Sequence, residues 1–592
     1  MTTQATRSPR RRTVVALAVV LAVLIAFIVR LVDIQVVNAD DHIADSMDRA
    51  FGSSQPLYGS RGSIVDSEGE TLAGSILLYD CQLDPLLITQ IDEDIVAGES
   101  TARSWDEVSA DAAAIVELPV DDVRAIVTDA LTENAESRFA YLKQSVTTEQ
   151  FRDLADLAVP YIACLQHPAR SYPDGAVAGN LVGFIGTDGP LEGLELSQND
   201  CLTPTDGTRT FSQGKDGVVI PGTEREISAV DGGTLQLTID RDLQWYLQQL
   251  IGEQVIDMRA QSGAIMVTEV ATGKIRAAAE YPTVDPNDVT ATDSEDRASR
   301  IFRSWFEPGS TFKGLTAAIV MDAGGQTPAS TVTASGQETF ANGASVRDSF
   351  QHETFNYTLT GALIDSSNVG ISKFSETVSA ETRYDYLKDF GIGEGSAVGF
   401  PGEQSGLVRP AADWDNQTLY NTAFGQGLTT TMPELAGAYG AIANDGVRMP
   451  LSLVESCTAA DGTVSTPELP DPVQIVSEET ATQTQAILEN VAMQALYADD
   501  VEVPGYRIAV KTGTGEKSEN GVYKLDAYYT TMIGFAPADD PEYLVVVTLD
   551  EPQKVKSSAA NATAFQKAMT QVLKTFRVMP STSTPEELPK FG

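Results

Sequence analysis

The sequence is poor in the residues on which the commonest hydrolytic and metal chemistries depend. It contains three histidines and four cysteines in 592 residues. No G-x-S-x-G string is present, which disfavours a Ser-His-Asp hydrolase. Neither C-x-x-C nor H-E-x-x-H occurs, so we expect no metal and no cofactor. His352 lies between Ser310 and Ser366 in the sequence, and we expect a surface or packing role for it.

Basic residues are also scarce. Lysine and arginine together number 40 against 83 acidic residues, which gives a formal net charge of −43. Phosphate binding needs clustered positive charge, so nucleic acid is disfavoured as a partner. A chain this acidic indicates a well-solvated surface.

Long hydrophobic runs are absent except near the start of the chain. Thr13–Val29 is uncharged and apolar, and the run can extend to Val32 if Arg30 snorkels. We predict that residues 1–12 are cytoplasmic and that residues 13–32 form a single transmembrane anchor. Arginines precede the run and acids follow it, so the body of the chain should be exported. The alternative is a cleaved signal peptide, but no Ala-x-Ala cleavage site follows the run.

The four cysteines suit an exported chain without defining a disulfide framework. Cys81, Cys164 and Cys201 lie in the first half of the sequence, and Cys457 lies in the second. A bridge between Cys164 and Cys201 is one pairing that we expect, although the sequence gives no distance between the two residues.

The chain is too long for one hydrophobic core, so we predict at least two exported domains. Residues 33–235 contain short strand-like pieces, Gly turns and acidic helices, and we assign them to a first module. Residues 236–579 form the second domain. Residues 580–592 are rich in Ser, Thr, Pro and Glu, and we predict that they are disordered.

The second domain alternates between strand and helix patterns. Asp240 is a plausible N-cap for a helix that runs to about Met258. Hairpins are predicted within Ala264–Tyr281 and Tyr528–Leu549, on either side of a long, mainly helical region. Asn561–Arg577 looks like a final amphipathic helix. This order predicts an α/β sandwich, in which helices cover an antiparallel sheet that carries an all-helical insert.

Three short strings occur in this domain. They are Ser310-Thr311-Phe312-Lys313, Ser366-Ser367-Asn368 and Lys511-Thr512-Gly513-Thr514. Each is weak evidence alone, because the chain has a second S-x-x-K at Ser212–Lys215 and further S-x-N strings at Ser197–Asn199 and Ser518–Asn520. All three in this order and at this wide spacing are rarely produced by chance.

The first string has the residues of an activated nucleophile. A predicted helix from Ser310 to about Ala323 puts Lys313 one turn after Ser310 on the same face. The positive end of the helix would stabilise a Ser310 alkoxide. Burial would lower the pKa of Lys313, so that its neutral amine could accept the serine proton.

The third string indicates the edge of a strand. A glycine inside a strand, here Gly513, indicates close approach by another backbone. We expect that backbone to be a substrate peptide added as a further strand. Lys511 supplies positive charge, and Thr512 and Thr514 can bind a terminal carboxylate.

Together the three strings resemble the signature shared by penicillin-binding proteins and class A β-lactamases. Arg61–Ala73 has the pattern R-G-x-I-x-D-x-x-G-x-x-L-A, and Gly193–Glu195 has G-x-E. Both are similar to the N-terminal module of class B penicillin-binding proteins, which β-lactamases lack. The resemblance implies a penicillin-binding transpeptidase sandwich after an elongated α+β module of the pedestal or dimerisation type.

The resemblance also implies a role for each motif residue. Ser310 would be the nucleophile and Lys313 its base, and Ser366 would belong to the proton path to the departing amine. Asn368 would bind the substrate amide, beside the substrate-binding strand of Lys511, Thr512, Gly513 and Thr514. The backbone N–H groups of Ser310 and Thr514 would form the oxyanion hole.

The activity implied is D,D-transpeptidation of peptidoglycan stem peptides through a serine acyl-enzyme on D-Ala-D-Ala, with β-lactams as covalent inhibitors. Phe306–Ser310 and Thr238–Gln249 resemble most the division-type (septal) enzymes. Their partners would be a membrane glycosyltransferase of the shape, elongation, division and sporulation family and other division proteins. The protein would be a single-pass membrane protein with an extracytoplasmic catalytic domain. The alternatives are an elongation-type transpeptidase, a D,D-carboxypeptidase or β-lactamase, and a non-catalytic scaffold or sensor.

Overall fold

The computed structural model describes residues 9–32, 52–212, 219–519 and 522–592. The chain divides into two compact units, Met1–Gly59 with Pro204–Asp231, and Ser60–Thr203 with Gly232–Gly592. The first unit contains a three-stranded antiparallel sheet in the order Gly52–Leu57, Gly207–Ser212 and Arg225–Ile227. The predicted S-x-x-K at Ser212–Lys215 extends outside the described residues.

The first unit also contains a helix, Pro9–Val32, over the predicted anchor. Its described apolar side chains, between Val14 and Ile28, are exposed. No helix within the described ranges is long and apolar enough to cross a membrane. The anchor at 13–32 and the cytoplasmic segment 1–12 stay predictions, and residues 1–8 and 33–51 lie outside the described residues.

The second unit has two hydrophobic cores. The smaller core lies among the helices Pro85–Ala97, Trp105–Val116, Val120–Glu133 and Thr148–Asp156 and the strands beside them. Those strands belong to a seven-stranded sheet. Six of its strands lie in the order Val464–Ser465, Val454–Thr458, Thr234–Leu237, Ile64–Val65, Thr71–Leu83 and Ala140–Val146. The seventh strand, Ile162–Ser171, also pairs with Thr71–Leu83. Strands from both sides of the predicted boundary at 235 therefore share one sheet.

The larger core surrounds a five-stranded antiparallel sheet. Its strands are β1 (Ser262–Glu269), β2 (Ile275–Tyr281), β3 (Ala509–Glu519), β4 (Val522–Ala536) and β5 (Tyr543–Asp550). Their order across the sheet is β2-β1-β5-β4-β3, which confirms both predicted hairpins. β3 is one of the two edge strands of this sheet.

Seven helices of the larger core matter below. They are α1 (Arg241–Met258), α2 (Phe312–Asp322), α3 (Leu359–Ile364), α4 (Asn368–Ser375), α5 (Met432–Ala443), α6 (Glu478–Gln494) and α7 (Ala562–Thr575). Asp240 accepts a hydrogen bond from Leu243 N at 2.8 Å, which confirms the predicted N-cap of α1. α1 and α7 pack on each other and on the sheet, while α5 packs on β1, β4 and β5.

This unit has further α-helices of four to ten residues. They are Gly179–Val182, Gly193–Ser197, Asn199–Leu202, Arg300–Arg303, Ala380–Asp389, Thr418–Asn421 and Ala498–Val501.

The insert between β2 and β3 is not all-helical, so that prediction is wrong. Besides Val454–Thr458 and Val464–Ser465 of the seven-stranded sheet, it contains four separate two-stranded sheets. These are Thr331–Ala334 with Phe355–Thr358, Gln337–Thr339 with Ser345–Arg347, Trp305–Phe306 with Thr430–Thr431, and Val447–Arg448 with Val473–Gln474. The two-to-four-residue strands are too short to produce a clear alternating pattern. The second pair turns at Gly343, whose φ of 89° suits glycine.

The disulfides join Cys81 to Cys164 and Cys201 to Cys457. The predicted Cys164–Cys201 bridge is therefore wrong. Cys81 and Cys164 are direct neighbours across an antiparallel strand pair. Cys201 meets a partner 256 positions away, a proximity that only the folded chain creates.

Residues 580–592 are ordered against the larger core, so the predicted disordered tail is also wrong. Leu588 N donates to Asn490 Oδ1 at 2.8 Å, and Asn490 Nδ2 donates to Glu586 O at 2.9 Å. Tyr357 and Phe591 form an isolated β-bridge. The polar composition conceals this contact, because the segment binds mainly through its backbone.

Candidate active site

The turn that carries Ser310 is held by its neighbours. Ser310 lies in a 3-10 turn, Gly309–Thr311, and α2 begins after it at Phe312 rather than at the serine itself. Gly309 N donates to Gly425 O at 3.0 Å. Gly309 has a φ of 54°, which permits this sharp turn into the helix.

Side chains from all three motifs meet at one hydroxyl. Lys313 Nζ donates to Ser366 Oγ at 3.1 Å and also to the Ser366 carbonyl oxygen. Lys511 Nζ lies 3.2 Å from the same Oγ. Both lysines have no exposed surface. Ser366 Oγ thus connects the first motif with the third.

Burial changes the charge of these amines. It lowers the pKa of Lys511 to about 7. Burial also holds the pKa of Lys313 well below its ordinary value, the positive charge of Lys511 lowers it further, and the Asp348 carboxylate opposes both effects. The Lys313 amine can therefore be neutral near neutral pH, as a proton acceptor requires.

The backbone at Ser366 is strained, and Asp348 holds the residues that follow it through hydrogen bonds. Ser366 has a φ of 54°, which L residues adopt at a cost of about 1–2 kcal/mol. Ser367 caps α4, accepting from Gly370 N at 2.9 Å and donating to Asp348 Oδ2 at 2.7 Å. Asp348 Oδ1 accepts from Val369 N at 2.9 Å. Several hydrogen bonds that fix the same few residues allow a strained turn to persist.

His352 belongs to the same support. Its Nε2 lies 2.8 Å from Asp348 Oδ2, and both side chains are almost fully buried. The packing role predicted for His352 is confirmed, and a surface role is not. Sequence reasoning did not single out Asp348, because no motif marks it and its neighbours come from the folded insert.

The third motif lies on β3, as predicted. A Cβ added to Gly513 would lie 2.4 Å from Pro308 O and 3.1 Å from Thr311 N. The backbone that approaches Gly513 is thus the protein's own turn around Ser310, and the expectation that a substrate strand requires this glycine is wrong. Thr514 Oγ1 accepts from Ser558 N at 3.2 Å.

The remaining predicted site residues lie around this centre. A Cβ on Gly309 would lie 3.0 Å from Thr514 N, so the backbones at Ser310 and Thr514 are close neighbours. Asn368 Nδ2 donates to Arg347 O at 2.9 Å, while Thr512 is almost fully buried on β3. No cluster of side chains within the described residues is arranged to hold a metal ion.

A serine in the turn before a helix, together with two buried lysines that share the hydroxyl of a second serine, is typical of serine enzymes that form an acyl-enzyme. Residues 263–570 match the penicillin binding protein transpeptidase domain, and residues 56–191 match the penicillin-binding protein dimerisation domain. The chain belongs to the penicillin-binding protein family. The dimerisation domain makes it a class B member, which confirms the resemblance and the predicted transpeptidase class.

Named relatives agree with this family. Penicillin-binding protein PbpB of Mycolicibacterium smegmatis is 34% identical over 527 residues, which cover 85% of this chain and 80% of that protein. Peptidoglycan D,D-transpeptidase FtsI of Escherichia coli is 29% identical, over 93% of this chain and 89% of that protein. The crystal structure of penicillin-binding protein 3 from Mycobacterium tuberculosis with aztreonam has a TM-score of 0.68 and 28% identity, and covers 90% of this chain and 99% of that one.

Proposed function

We propose that this protein cross-links peptidoglycan as a D,D-transpeptidase, with Ser310 as its nucleophile. The observation that carries the assignment is the buried chain from Lys313 Nζ through Ser366 Oγ to Lys511 Nζ, with separations of 3.1 and 3.2 Å. A buried neutral amine one turn from a serine has the properties of a general base.

Acylation begins when Lys313 takes the hydroxyl proton of Ser310. The Ser310 Oγ attacks the carbonyl carbon between the two D-Ala residues, and the N–H groups of Ser310 and Thr514 bind the developing oxyanion. The C–N bond then breaks. Lys313 and Ser366 return the proton to the departing D-Ala amine, which leaves an ester on Ser310.

The second half of the reaction transfers the peptide. The amine of a neighbouring stem peptide attacks the Ser310 ester and loses a proton along the same path, which regenerates the serine hydroxyl. A β-lactam forms the same ester, but its ring-opened leaving group stays attached and hinders attack. Penicillins should therefore remain as a stable adduct.

Substrate binding is assigned to the strand and to the second motif. A charged Lys511 would attract the terminal carboxylate of the stem peptide, and Thr512 and Thr514 would bind its oxygens. Asn368 would bind the peptide amide. Gly513 contributes by allowing the nucleophile turn to approach β3. The support for this is that a Cβ added at Gly513 would lie only 2.4 Å from Pro308 O.

We assign the activity to septal wall synthesis at the cell membrane. Phe306–Ser310 and Thr238–Gln249 support this through their resemblance to division-type enzymes. The exposed apolar side chains between Val14 and Ile28 support a single-pass anchor at 13–32 with the catalytic domain outside. A membrane glycosyltransferase of the shape, elongation, division and sporulation family and other division proteins are the proposed partners.

The test is a donor–acceptor assay with a D-Ala-D-Ala stem peptide and a second peptide amine. Transpeptidation predicts release of D-Ala together with a cross-linked dimer. Release of D-Ala with hydrolysed donor and no dimer, at high acceptor concentration, would instead identify a D,D-carboxypeptidase. Depletion of the protein in cells should block septation, whereas a swelling phenotype without a division defect would favour the elongation type.

A further inference from the structure

Residues 586–592, named here the strap, bind two neighbouring parts of the larger core. On α6, Asn490 and Gln494 bond the backbone of Glu586 and Leu588 at 2.8 to 3.0 Å. On the strand that leads into α3, Gly592 N donates to Asn356 O at 2.9 Å. The strap thus spans from α6 to the strand and helix that precede the Ser366 turn.

The strap also caps α3. Thr358, the N-cap of α3, accepts from Gly361 N at 2.8 Å and donates to Pro589 O at 2.6 Å. A Cβ on Gly361 would lie only 1.8 Å from Lys590 O. The backbone of the strap is therefore seated directly against the first turn of α3, where only a glycine leaves room.

One side chain of the strap reaches the residue before Ser366. Lys590 Nζ lies 2.5 Å from Asp365 Oδ1, and Tyr357 OH donates to Asp365 Oδ2 at 2.9 Å. The Phe591 ring packs on Tyr357, with 5.4 Å between the ring centroids. Asp365 is thereby fixed through both of its carboxylate oxygens, immediately before a residue with strained backbone.

Ser366 Oγ contacts two lysines at once, so the backbone has to be fixed both before and after Ser366 in the chain. Asp348 fixes the Ser367 side through a 2.7 Å hydrogen bond. We propose that the strap fixes the other side, with Lys590 as a positioning residue that acts through Asp365 on the Ser366 turn. This inference rests on the proposed function, since it gives the strap a part in acylation.

The test is the kinetics of acylation by a fluorescent penicillin, with the maximal rate constant and the apparent binding constant measured separately on the full chain. Lys590→Ala should lower the maximal rate constant about tenfold, with little change in the apparent binding constant. Lys590→Arg keeps the charge, so its maximal rate constant should stay within about twofold of the wild-type value. Lys574→Ala, on an exposed part of α7, is the matched control and should behave as wild type.

A second variant removes residues 586–592, and a synthetic peptide of that sequence is then added back. We expect a larger loss of rate, which the added peptide partly reverses. A wild-type rate constant in Lys590→Ala would overturn the inference, even if that variant melts at a lower temperature. If the truncated chain fails to fold, the comparison of Lys590→Ala with Lys590→Arg decides alone. Absence of any adduct on wild type would overturn the proposed function as well, which separates the two failures.

Discussion

Lys313 and Lys511 share one serine hydroxyl and are both fully buried, so two ammonium groups there would repel strongly. Burial lowers the pKa of both, and Lys511 also lowers the pKa of Lys313. Since the pKa of Lys511 is about 7, this residue can still bind a proton near neutrality. Lys313 is therefore the proposed base of the pair, and Lys511 is its proposed titrating cation.

This division of charge predicts a bell-shaped pH dependence of acylation. The rate should fall at low pH as Lys313 gains a proton, and above about pH 7 as Lys511 loses the proton that attracts the substrate carboxylate. Lys511→Arg keeps its charge, so its alkaline limb should move to higher pH. Stopped-flow acylation across the pH range measures both limbs, and an alkaline limb that stays in place in Lys511→Arg would assign it to another group.

Asp348 offers a second test at the residue scale. Its negative charge raises the pKa of Lys313, so Asp348→Asn should move the acid limb of the acylation profile to lower pH. The same change weakens the bond to Ser367 and should lower the rate and the melting temperature. Asp293→Asn, an exposed carboxylate, is the control. An acid limb that moves to higher pH would contradict the electrostatic account.

At the scale of elements, the critical contact is between β3 and the turn that carries Ser310. Gly513→Ala would put a Cβ 2.4 Å from Pro308 O, so the turn must move and Ser310 with it. We predict a loss of acylation of about a hundredfold or more. Gly440→Ala on α5 has no atom within 4 Å of its new Cβ and should instead be neutral or stabilise by about 0.5–1 kcal/mol. Equal acylation rates in the two variants would refute the role of this contact.

Local signals predicted the elements that depend on local physics. The Asp240 cap, the hairpin of β1 and β2, and α7 follow from capping chemistry and periodicity. The short strands of the insert and the docked strap depend instead on distant partners. A strand such as Ser345–Arg347 has too few residues to show a period. The strap is held by Asn490 and Gln494, far from it in sequence.

The site divides in the same way. The motif residues could be predicted because this chemistry uses those residue types and because their order along the chain matches a family signature. The role of Asp348 and the approach of the Pro308 backbone to Gly513 could not be predicted, because both depend on contacts that only the fold creates. What the sequence misses here is the support of the site rather than its reacting groups.

At the scale of the whole molecule, the Cys201–Cys457 bridge closes a loop of 256 residues. A cross-link over so long a loop restricts the unfolded chain strongly, so the double variant with serine at both positions should lose roughly 2–5 kcal/mol of unfolding free energy. Denaturant titration with and without reductant measures this. The serine pair at Cys81 and Cys164, which lie beside the smaller core, is the comparison. An unchanged transition on loss of the Cys201–Cys457 bridge would contradict the prediction.

The central claim is that Ser310 carries the acyl group, and intact-protein mass spectrometry after exposure to penicillin tests it most directly. Wild type should gain the mass of one penicillin and keep it, while Ser310→Ala should gain none. An adduct that survives in Ser310→Ala, or no adduct on folded wild type, would contradict the assignment of the active site.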